Sequence, residues 1–422
     1  MNPTRSPILL AVASTLFLAS AKADWPNYRG PNHDGKASEK LASHSFPSSG
    51  PREVWKTDSP GGFASLSVAD GRAFTLVGRS IDGAPTEVLV ALDAKSGKEL
   101  WAVNLAVSRY RGGGDAGTPD NKGGDGPRST PTVDGGLVYV LDGLLNLVCV
   151  EAASGKTVWR KDLLREHAGR NITWNNAASP VIDGDLVFVA GGGEGQSLLG
   201  IHKKTGAVVW KGEDDLMTHA TPVATTIHGV RQILFFTQKG LVSVAPADGR
   251  VLWRQPFLYK TSTAASPIVA GDIVYCSAGY GVGAGAYRIS KSGERFESTE
   301  LWRMNGKLQN HWSTPIHHQG HLYGIFGFKE YGEAPLQCIE LATGTVKWSH
   351  PGYGPGNVTF VDGHLLVLGD AGQLAIVEAT PEAYREKAKA DILAGKCWST
   401  PSYTQGRVYA RSTTEAVCID LN

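Results

Sequence analysis

The sequence has little of several features that mark common protein classes. Cysteine occurs 5 times in 422 residues, with no adjacent pair and no C-x-x-C or C-x-x-C-H motif, so we expect buried free thiols rather than a disulfide framework. Charged residues make up only 19 % and are balanced, 41 Lys and Arg against 40 Asp and Glu. Because there is no basic excess and no long basic run, nucleic-acid binding is not expected. The H-E-x-x-H, G-x-S-x-G and Walker A patterns are also missing.

Glycine, in contrast, is abundant. The chain has 52 glycines and 22 prolines, a density that would break the helices of a long bundle. The glycines follow no three-residue period, so the chain is not collagen-like. A hydrophobic share of 41 % with 11 Trp is enough for a sizeable core and argues against disorder. We therefore expect a folded chain that turns often.

The first 23 residues have the pattern of a secretory signal peptide. Arg5 supplies a positive charge, residues 8–19 form a short apolar run, and Ala21-Lys22-Ala23 is a small-x-small cleavage site. The apolar run is too short to span a bilayer comfortably, and no cysteine lies near the cleavage point. We expect a periplasmic or secreted protein with a cleaved leader, no lipid anchor and no transmembrane segment.

A repeat of about fifty residues runs through the rest of the chain. One part of it is a segment in which a glycine precedes a tryptophan by four residues, as in ALDAKSGKELW (91–101) and CVEAASGKTVW (149–159). Each tryptophan of this series should end an outermost strand and wedge against the neighbouring unit, adding a large apolar area. The series comprises Trp55, Trp101, Trp159, Trp210, Trp253, Trp302 and Trp348.

The second part of the repeat is an apolar stretch that begins with Ser/Thr-Pro and is split by an x-Gly turn, as in RSTPTVDGGLVYVLDG from Arg128. Short alternating segments separated by such turns are typical of strands, four in each unit. A sheet that is apolar on both faces must stack, and the radial solution is a β-propeller. Eight copies therefore predict an all-β, eight-bladed β-propeller of four-stranded antiparallel blades.

Domain boundaries and ring closure follow from the same repeat. We expect a signal peptide at 1–23, an N-terminal arm at 24–50 and a single propeller at 51–422. The last copy ends at residues 417–421 without a tryptophan, so residues 52–56 should supply its missing outer strand and remove an open edge. Residues 380–385 replace a tight turn, and Pro381 after Thr380 predicts a helical turn there.

The A-x-D-x-x-x-G-x-x-x-W module resembles the repeat of the pyrroloquinoline quinone (PQQ) family of propellers. That family includes quinoprotein alcohol dehydrogenases and the BamB propeller lipoprotein of outer-membrane assembly. The opening residues 25–35, WPNYRGPNHDG, resemble the W-P-x-x-R-G-P-x-x-D-G start of secreted members. The resemblance covers nearly the whole chain after the leader, and it is specific for the fold rather than for an activity.

The resemblance implies a test for enzymatic activity. In quinoprotein alcohol dehydrogenases, PQQ lies on the propeller axis between a tryptophan and a disulfide of adjacent cysteines, calcium is held by a Glu and an Asn, and an Asp serves as base. This sequence has no adjacent cysteines, and no motif places that Glu, Asn and Asp. Some quinoprotein branches lack the disulfide. If the protein is an enzyme, the resemblance therefore still implies PQQ and calcium as its cofactors. The resemblance to BamB implies that the protein binds a partner. The lipidated cysteine of BamB is missing from this sequence, so the resemblance does not extend to membrane tethering.

The axial mouth, lined by the residues that enter each innermost strand, is the expected binding surface. Aromatic, amide and basic groups alternate there, a set that could bind a planar anionic ligand or grip a peptide. The alternative is that these groups fill a hydrated channel without a ligand. The candidate residues are Arg128, Trp174, Asn175, Asn176, His219, Asn310, His311, Trp312, Asn357, Lys396 and Trp398.

Two other segments carry weaker signals. The glycine-rich residues 109–128 contain three aspartates, a pattern open to calcium but more typical of a solvated loop over one face. His317, His318 and His321 could offer imidazoles to a metal, but they surround an ordinary turn. We assign no metal site and no catalytic residue from the sequence.

Two functions follow as hypotheses. The first is a non-catalytic, exported binding or scaffolding module, expected to be a monomer that takes a protein or small-molecule ligand at the mouth. The second is an oxidoreductase of the quinoprotein type that oxidises an alcohol or sugar with PQQ and calcium. A third hypothesis, action on a carbohydrate, lacks the paired carboxylates that such chemistry needs.

Overall fold

The computed structural model describes residues 24–116, 118, 120–258, 260–327 and 334–422. The predicted signal peptide at 1–23 lies outside the described residues. Within them, 32 strands form eight four-stranded antiparallel sheets. The predicted eight-bladed propeller is therefore confirmed.

The strands occupy four concentric positions from the axis outward. The innermost strands are β2 (Ser67–Ala69), β6 (Thr132–Asp134), β10 (Val181–Asp183), β14 (Val223–Ile227), β18 (Ile268–Ala270), β22 (Ile316–His318), β26 (Asn357–Val361) and β30 (Ser402–Thr404). The second strands are β3 (Arg72–Ile81), β7 (Leu137–Leu141), β11 (Leu186–Ala190), β15 (Val230–Thr237), β19 (Ile273–Ala278), β23 (His321–Ile325), β27 (His364–Leu368) and β31 (Arg407–Arg411). The third strands are β4 (Ala84–Asp93), β8 (Asn146–Glu151), β12 (Leu198–His202), β16 (Gly240–Val244), β20 (Gly283–Ser292), β24 (Leu336–Glu340), β28 (Gln373–Glu378) and β32 (Glu415–Asp420). The outermost strands are β5 (Glu99–Val107), β9 (Thr157–Asp162), β13 (Val208–Gly212), β17 (Val251–Pro256), β21 (Arg295–Asn305), β25 (Val346–His350), β29 (Glu386–Asp391) and β1 (Arg52–Asp58).

The ring closes as the sequence predicts. β2 lies against β6 on one side and against β30 on the other, so the last blade meets the first. The outermost strand of the last blade is β1, which pairs antiparallel with β32 from Arg52 opposite Asp420 to Asp58 opposite Glu415. Because the N-terminal strand completes the C-terminal blade, no blade is left with an unpaired third strand.

The tryptophans of the repeat connect neighbouring blades. The indole N–H of Trp55, for example, donates to the carbonyl of Ala94 at 3.0 Å, in the corner before the next outermost strand. The same bond runs from Trp101 to Ala152 and from Trp159 to Lys203. Trp210, Trp302 and Trp348 follow the pattern with Pro246, Leu341 and Thr380. Trp253 departs from it, because its N–H donates to the Gln232 side chain of its own blade at 2.7 Å.

The repeated glycine and the residue opposite each tryptophan have a packing role. Gly155 has a φ of +73°, and a Cβ there would lie 2.8 Å from the Trp101 ring of the preceding blade. On the third strand of each blade that has such a tryptophan, the residue paired with the tryptophan is small, for example Cys149, Cys338 or Cys418. All five cysteines are buried and free, as the sequence predicts. Three of them are therefore small core residues that make room for an indole ring.

The N-terminal arm, residues 24–50, crosses the end of the axis where the innermost strands finish. Trp25 forms a bridge with Val68 of the first blade. The buried Arg29 side chain reaches the other side of the ring, donating to the carbonyls of Thr314 at 2.8 Å and Pro315 at 3.0 Å. The W-P-x-x-R-G-P start of the arm therefore packs against the first and sixth blades and covers one end of the channel.

One local prediction is wrong. Residues 381–382 form a bend rather than the expected helical turn, and the carbonyl of Thr380 accepts the indole N–H of Trp348. The blade-connecting bond fixes this corner in an open conformation in place of a helix. In the described part of the chain, the single α-helix is α1 (Leu163–Glu166).

Candidate functional site

A cavity of about 620 Å³ lies on the axis, at the end where the innermost strands begin. The N-terminal arm crosses the other end of the axis. Seven of the eight blades contribute to its wall through residues just before their innermost strands, and the arm contributes one side chain. None of the described lining residues is Asp or Glu. The lining comprises Tyr28, Phe63, Ser65, Thr118, Lys122, Gly123, Arg128, Trp174, Ala177, Ser179, His219, Thr221, Ser262, Ala264, Tyr280, His311, Trp312, Trp398 and Thr400.

A stack of three aromatic rings forms one side of the cavity. Trp312 and Trp398 lie with ring centroids 4.1 Å apart and planes 21° apart, and Phe63 stacks on Trp398 at 4.9 Å. Two neighbours hold Trp398 from behind. Its N–H donates to Asp370 at 2.5 Å, and its carbonyl accepts from the Asn357 amide at 2.7 Å. The stack is therefore a fixed apolar surface rather than a mobile one.

Trp174 offers a second aromatic surface to the cavity and is 44 % exposed. It sits in a constrained backbone, because Trp174 and Asn175 have φ values of 70° and 65°. A left-handed residue other than glycine costs about 1–2 kcal/mol. The carbonyls of both residues are held by side chains: Arg128 donates to the Trp174 carbonyl, and His219 Nε2 donates to the Asn175 carbonyl at 3.0 Å.

The two imidazoles of the cavity are neutral at physiological pH. Burial and, to a smaller extent, the positive charge of Arg128 lower the pKa of His219 to about 4. Since its Nε2 carries the proton, His219 Nδ1 accepts from the Ser262 hydroxyl at 2.8 Å. Burial likewise lowers the pKa of His311 to about 3. The His311 ring contacts Trp312 and Tyr280 edge-on, with both centroid distances at 5.1 Å.

The glycine-rich residues 109–128, which we call the mouth loop, reach the cavity through Thr118, Lys122 and Gly123. Lys396, which is 2 % exposed, fastens this loop. Its ammonium group donates to the carbonyls of Gly113 at 2.6 Å and Lys122, and to the Asp125 carboxylate at 3.0 Å. The expected solvated loop is thus pinned over the rim of the mouth by a buried cation.

A buried carboxyl lies behind Arg128. Glu87 is 1 % exposed and accepts from the Tyr110 hydroxyl at 2.8 Å and from the Gly143 N–H at 3.0 Å. The Arg128 guanidinium lies 4.9 Å from the centre of the Tyr110 ring. Burial and, to a smaller extent, the nearby Asp142 charge raise the pKa of Glu87 to about 7.

The structure brings six of the predicted mouth residues to the cavity wall: Arg128, Trp174, His219, His311, Trp312 and Trp398. The other five hold the wall from behind. Besides Asn357 and Lys396, these are three amides. Asn175 donates to Ser108 at 3.0 Å, Asn176 donates to the carbonyls of Leu141 and Ala178, and Asn310 donates to the carbonyl of Ile325 at 2.9 Å.

Sequence reasoning missed the hydroxyl groups and the contribution of the arm. Several hydroxyls just before the innermost strands connect adjacent blades, since each accepts a backbone N–H of a neighbouring blade. Ser65, Ser179 and Thr221 accept such bonds from Thr400, Thr130 and Ser179 at 2.9 Å each. The repeated Ser/Thr-Pro dipeptide was the available signal for Ser179 and Thr221, whereas Ser65 is followed by Leu66. Tyr28 of the arm lines the cavity too, but nothing in its sequence context predicts this contact.

The histidines at 317–321 carry no metal centre in the geometry described. His317 Nε2 accepts from the N–H of Gly320 at 3.2 Å, and the His318 ring packs on Phe360 at 4.5 Å. Among the described residues, no group of three His, Cys, Asp or Glu side chains is arranged to hold a metal ion. The same residues contain no helix that is long and apolar enough to cross a membrane.

Eight four-stranded blades around an axial, aromatic-lined cavity define a PQQ-like β-propeller. A family model, PQQ_2, described as outer membrane protein assembly factor BamB, matches residues 85–350, more than half of the chain. The chain belongs to this family.

Solved structures of two functional kinds share the fold. BamB from Moraxella catarrhalis superposes with a TM-score of 0.58 at 14 % identity, covering 86 % of this chain and 97 % of that one. A quinohemoprotein alcohol dehydrogenase from Comamonas testosteroni superposes with a TM-score of 0.66 at 12 % identity, covering 94 % of this chain and 80 % of that one. At these identities, the likeness concerns the fold alone.

One sequence relative is a named enzyme. A 1-butanol dehydrogenase (cytochrome c) from Thauera butanivorans is 35 % identical over 147 residues, which is 33 % of this chain. The match spans 18 % of the length of that dehydrogenase.

Proposed function

We propose that this protein is an exported, non-catalytic binding module that takes its ligand into the axial cavity. The observation that carries the proposal is the composition of the wall, which is aromatic and polar but has no carboxylate among its described residues. A concave, largely apolar pocket with a few placed polar groups is the usual form of a ligand site. The polar groups of this wall can orient a ligand, but they include no carboxylate base to take a proton from it.

The quinoprotein cofactor set fits this wall only in part. The rings of Trp174 and Trp312 could stack on a flat molecule. Calcium, however, takes about six to eight oxygen ligands, normally with carboxylates among them. Three carboxylates behind the wall are already engaged. Glu87 accepts from Tyr110 and Gly143, Asp370 accepts from Trp398 and Asn121, and Asp125 pairs with Lys396. The described residues therefore do not form a calcium site.

Export and partner class are part of the same proposal. The leader-like residues 1–23 support export to the periplasm or beyond, and a family described by an outer membrane assembly factor is consistent with it. The module would act as a monomer on a protein or small-molecule ligand at the mouth. The balanced charge supports the absence of a nucleic-acid partner.

A second candidate is an oxidoreductase of the quinoprotein type. The 35 % identity with a segment of a 1-butanol dehydrogenase favours it, and the tryptophans of the cavity would suit a planar cofactor. This candidate needs an oxygen-ligand set for calcium that the described wall does not offer.

Reconstitution distinguishes the two functions. The purified protein is incubated with PQQ and Ca²⁺, and dye-linked oxidation of 1-butanol, other alcohols and sugars is followed beside a PQQ-dependent dehydrogenase as positive control. The binding-module proposal predicts the same rate as the blank without protein. Dye reduction that requires both PQQ and calcium, and that Trp312→Ala abolishes in a folded variant, would establish the oxidoreductase instead.

A further inference from the structure

We propose that the ligand of the axial cavity is a neutral saccharide. This inference rests on the proposed binding function and names the ligand class. Three properties of the wall lead to it: its charge, its hydrogen-bond donors and its ring surfaces.

The cations near the cavity hold parts of its wall in place. Lys396 donates to two carbonyls and pairs with the Asp125 carboxylate. Arg128 donates to the carbonyls of Trp174 and Gly123 while its guanidinium covers Tyr110. An anion that drew either cation away from these acceptors would release Trp174 or the mouth loop. A neutral ligand leaves these contacts intact, and the wall therefore favours a neutral ligand.

The imidazoles do not change this balance. His219 and His311 are neutral above pH values of about 4 and 3. Lys122, the remaining lysine of the lining, lies at the exposed rim and pairs with Asp120 at 2.6 Å. The two imidazoles therefore add no positive charge to the cavity, and the charge of Lys122 is paired at the rim.

Three hydroxyls of the wall retain a donor. Ser65, Ser179 and Thr221 each accept a backbone N–H. Within the described residues, these accepted bonds are the only hydrogen bonds of the three hydroxyls, so each O–H proton remains to be donated. All three side chains line the cavity although they are at least 95 % buried. Their donors suit a ligand that presents several oxygen acceptors around its edge.

The ring surfaces suit the faces of a sugar. Trp174 and the outer face of the stack formed by Trp312, Trp398 and Phe63 both border the cavity. The face of an aromatic ring carries negative electrostatic potential, which attracts the weakly positive C–H groups on a pyranose face. A saccharide offers C–H faces to these rings and hydroxyl oxygens to the O–H donors, without bringing a charge.

The test measures equilibrium binding to the full-length mature protein. Neutral gluco-, xylo-, manno-, galacto- and chito-oligosaccharides of roughly two to six units are titrated, followed by calorimetry and intrinsic tryptophan fluorescence. Oligogalacturonate, a sulfated oligosaccharide and PQQ form the charged arm. We expect at least one neutral series to bind, with an affinity that stays constant between about 50 and 500 mM salt.

Variants locate the site. Trp174→Ala should weaken saccharide binding by about tenfold, and Trp174→Phe should restore part of the affinity because it keeps a ring at the same place. Alanine and tryptophan share the constraint of a positive φ, so the first change adds no new backbone strain. Val209→Ala, at an exposed position of the outermost strand β13, is the matched control and should leave affinity unchanged.

Each contrary result has a separate meaning. Binding only by the charged arm, or no binding by any neutral series, overturns the saccharide inference and leaves the binding module standing. Saccharide binding that Trp174→Ala does not weaken in a folded variant places the ligand elsewhere and also overturns it. Turnover with PQQ and calcium in the dye-linked assay overturns the proposed function itself.

Discussion

Individual residues at the mouth divide into those that face the cavity and those that hold the first group in place. Asn357 and Asp370 orient Trp398, and Arg128 and His219 fix the left-handed pair at Trp174. Polar residues entering an innermost strand are visible in the sequence. Whether such a side chain turns toward the axis or back into a neighbouring blade depends on partners distant in the chain, such as Ile325 for Asn310. That choice could not be predicted from the sequence.

The buried Glu87 carboxyl should make the free energy of unfolding depend on pH. Burial raises its pKa from 4.5 to about 7, so the folded chain keeps a proton that the unfolded chain releases. The contribution of this group to the free energy of unfolding therefore falls as pH rises from 4.5 to 7, by about 3 kcal/mol at most. In Glu87→Gln, an amide oxygen at the Oε1 position can accept from both the Tyr110 hydroxyl and the Gly143 N–H, and the amide does not titrate. Urea unfolding at several pH values should show the variant gaining stability relative to wild type across this window.

The comparison isolates Glu87 because both proteins retain the buried histidines. Those groups have lowered pKa values, so their contribution is lost as pH falls below about 6.5, and it cancels in the difference. A difference between variant and wild type that stays constant with pH would show that Glu87 does not titrate in the folded protein.

Gly155 tests the packing of the repeat. Alanine at Gly155 meets two penalties, the positive φ, about 1–2 kcal/mol, and overlap with Trp101, about 1–3 kcal/mol more. Gly184 also has a positive φ, +57°, but nothing lies within 4 Å of its added Cβ. Gly155→Ala should therefore lower the urea midpoint more than Gly184→Ala does. Equal shifts would mean that the glycine serves only the turn.

At the scale of elements, the blades were predictable and the segments that cover the axis were not. The strands follow from short apolar stretches between Gly turns, and β1 follows from an orphan tryptophan module at Trp55. The arm and the mouth loop have no periodic pattern, because each is held by scattered long-range contacts such as Arg29 to Thr314 and Lys396 to Gly113. Their composition indicates loops, but only the fold shows that they lie across the two ends of the channel.

The mouth loop should become more mobile when the Lys396 ammonium group is removed. Lys396→Met keeps the length of the side chain but removes three hydrogen bonds, two to carbonyls and one to Asp125. Bonds to charged groups contribute about 1.5–3 kcal/mol, so trypsin should cut at Arg109, Arg111 or Lys122 several-fold faster than in wild type. Lys95→Met, at an exposed corner, is the control. Unchanged cleavage would show that other contacts hold the loop.

At the scale of the whole molecule, closure of the ring brings equivalent segments of the repeat together around one cavity. Each blade buries its faces against its neighbours, so no blade alone could form the cavity. The eight entry segments converge on one axis, which the arm covers at one end and the mouth loop borders at the other. The fold is shared by a protein named BamB and by a protein named as a quinohemoprotein alcohol dehydrogenase. The fold alone therefore does not determine the function, and our proposal places that function in the residues of the axial wall.

The most direct measurement is a crystal structure of the protein grown with the tightest-binding ligand from the titrations. We predict density for that ligand in the axial cavity, stacked on Trp174 or Trp312 and hydrogen-bonded to at least one of Ser65, Ser179 and Thr221. A ligand found on the outer rim of the blades, with the axial cavity holding only water, would contradict the assignment of the cavity as the binding site.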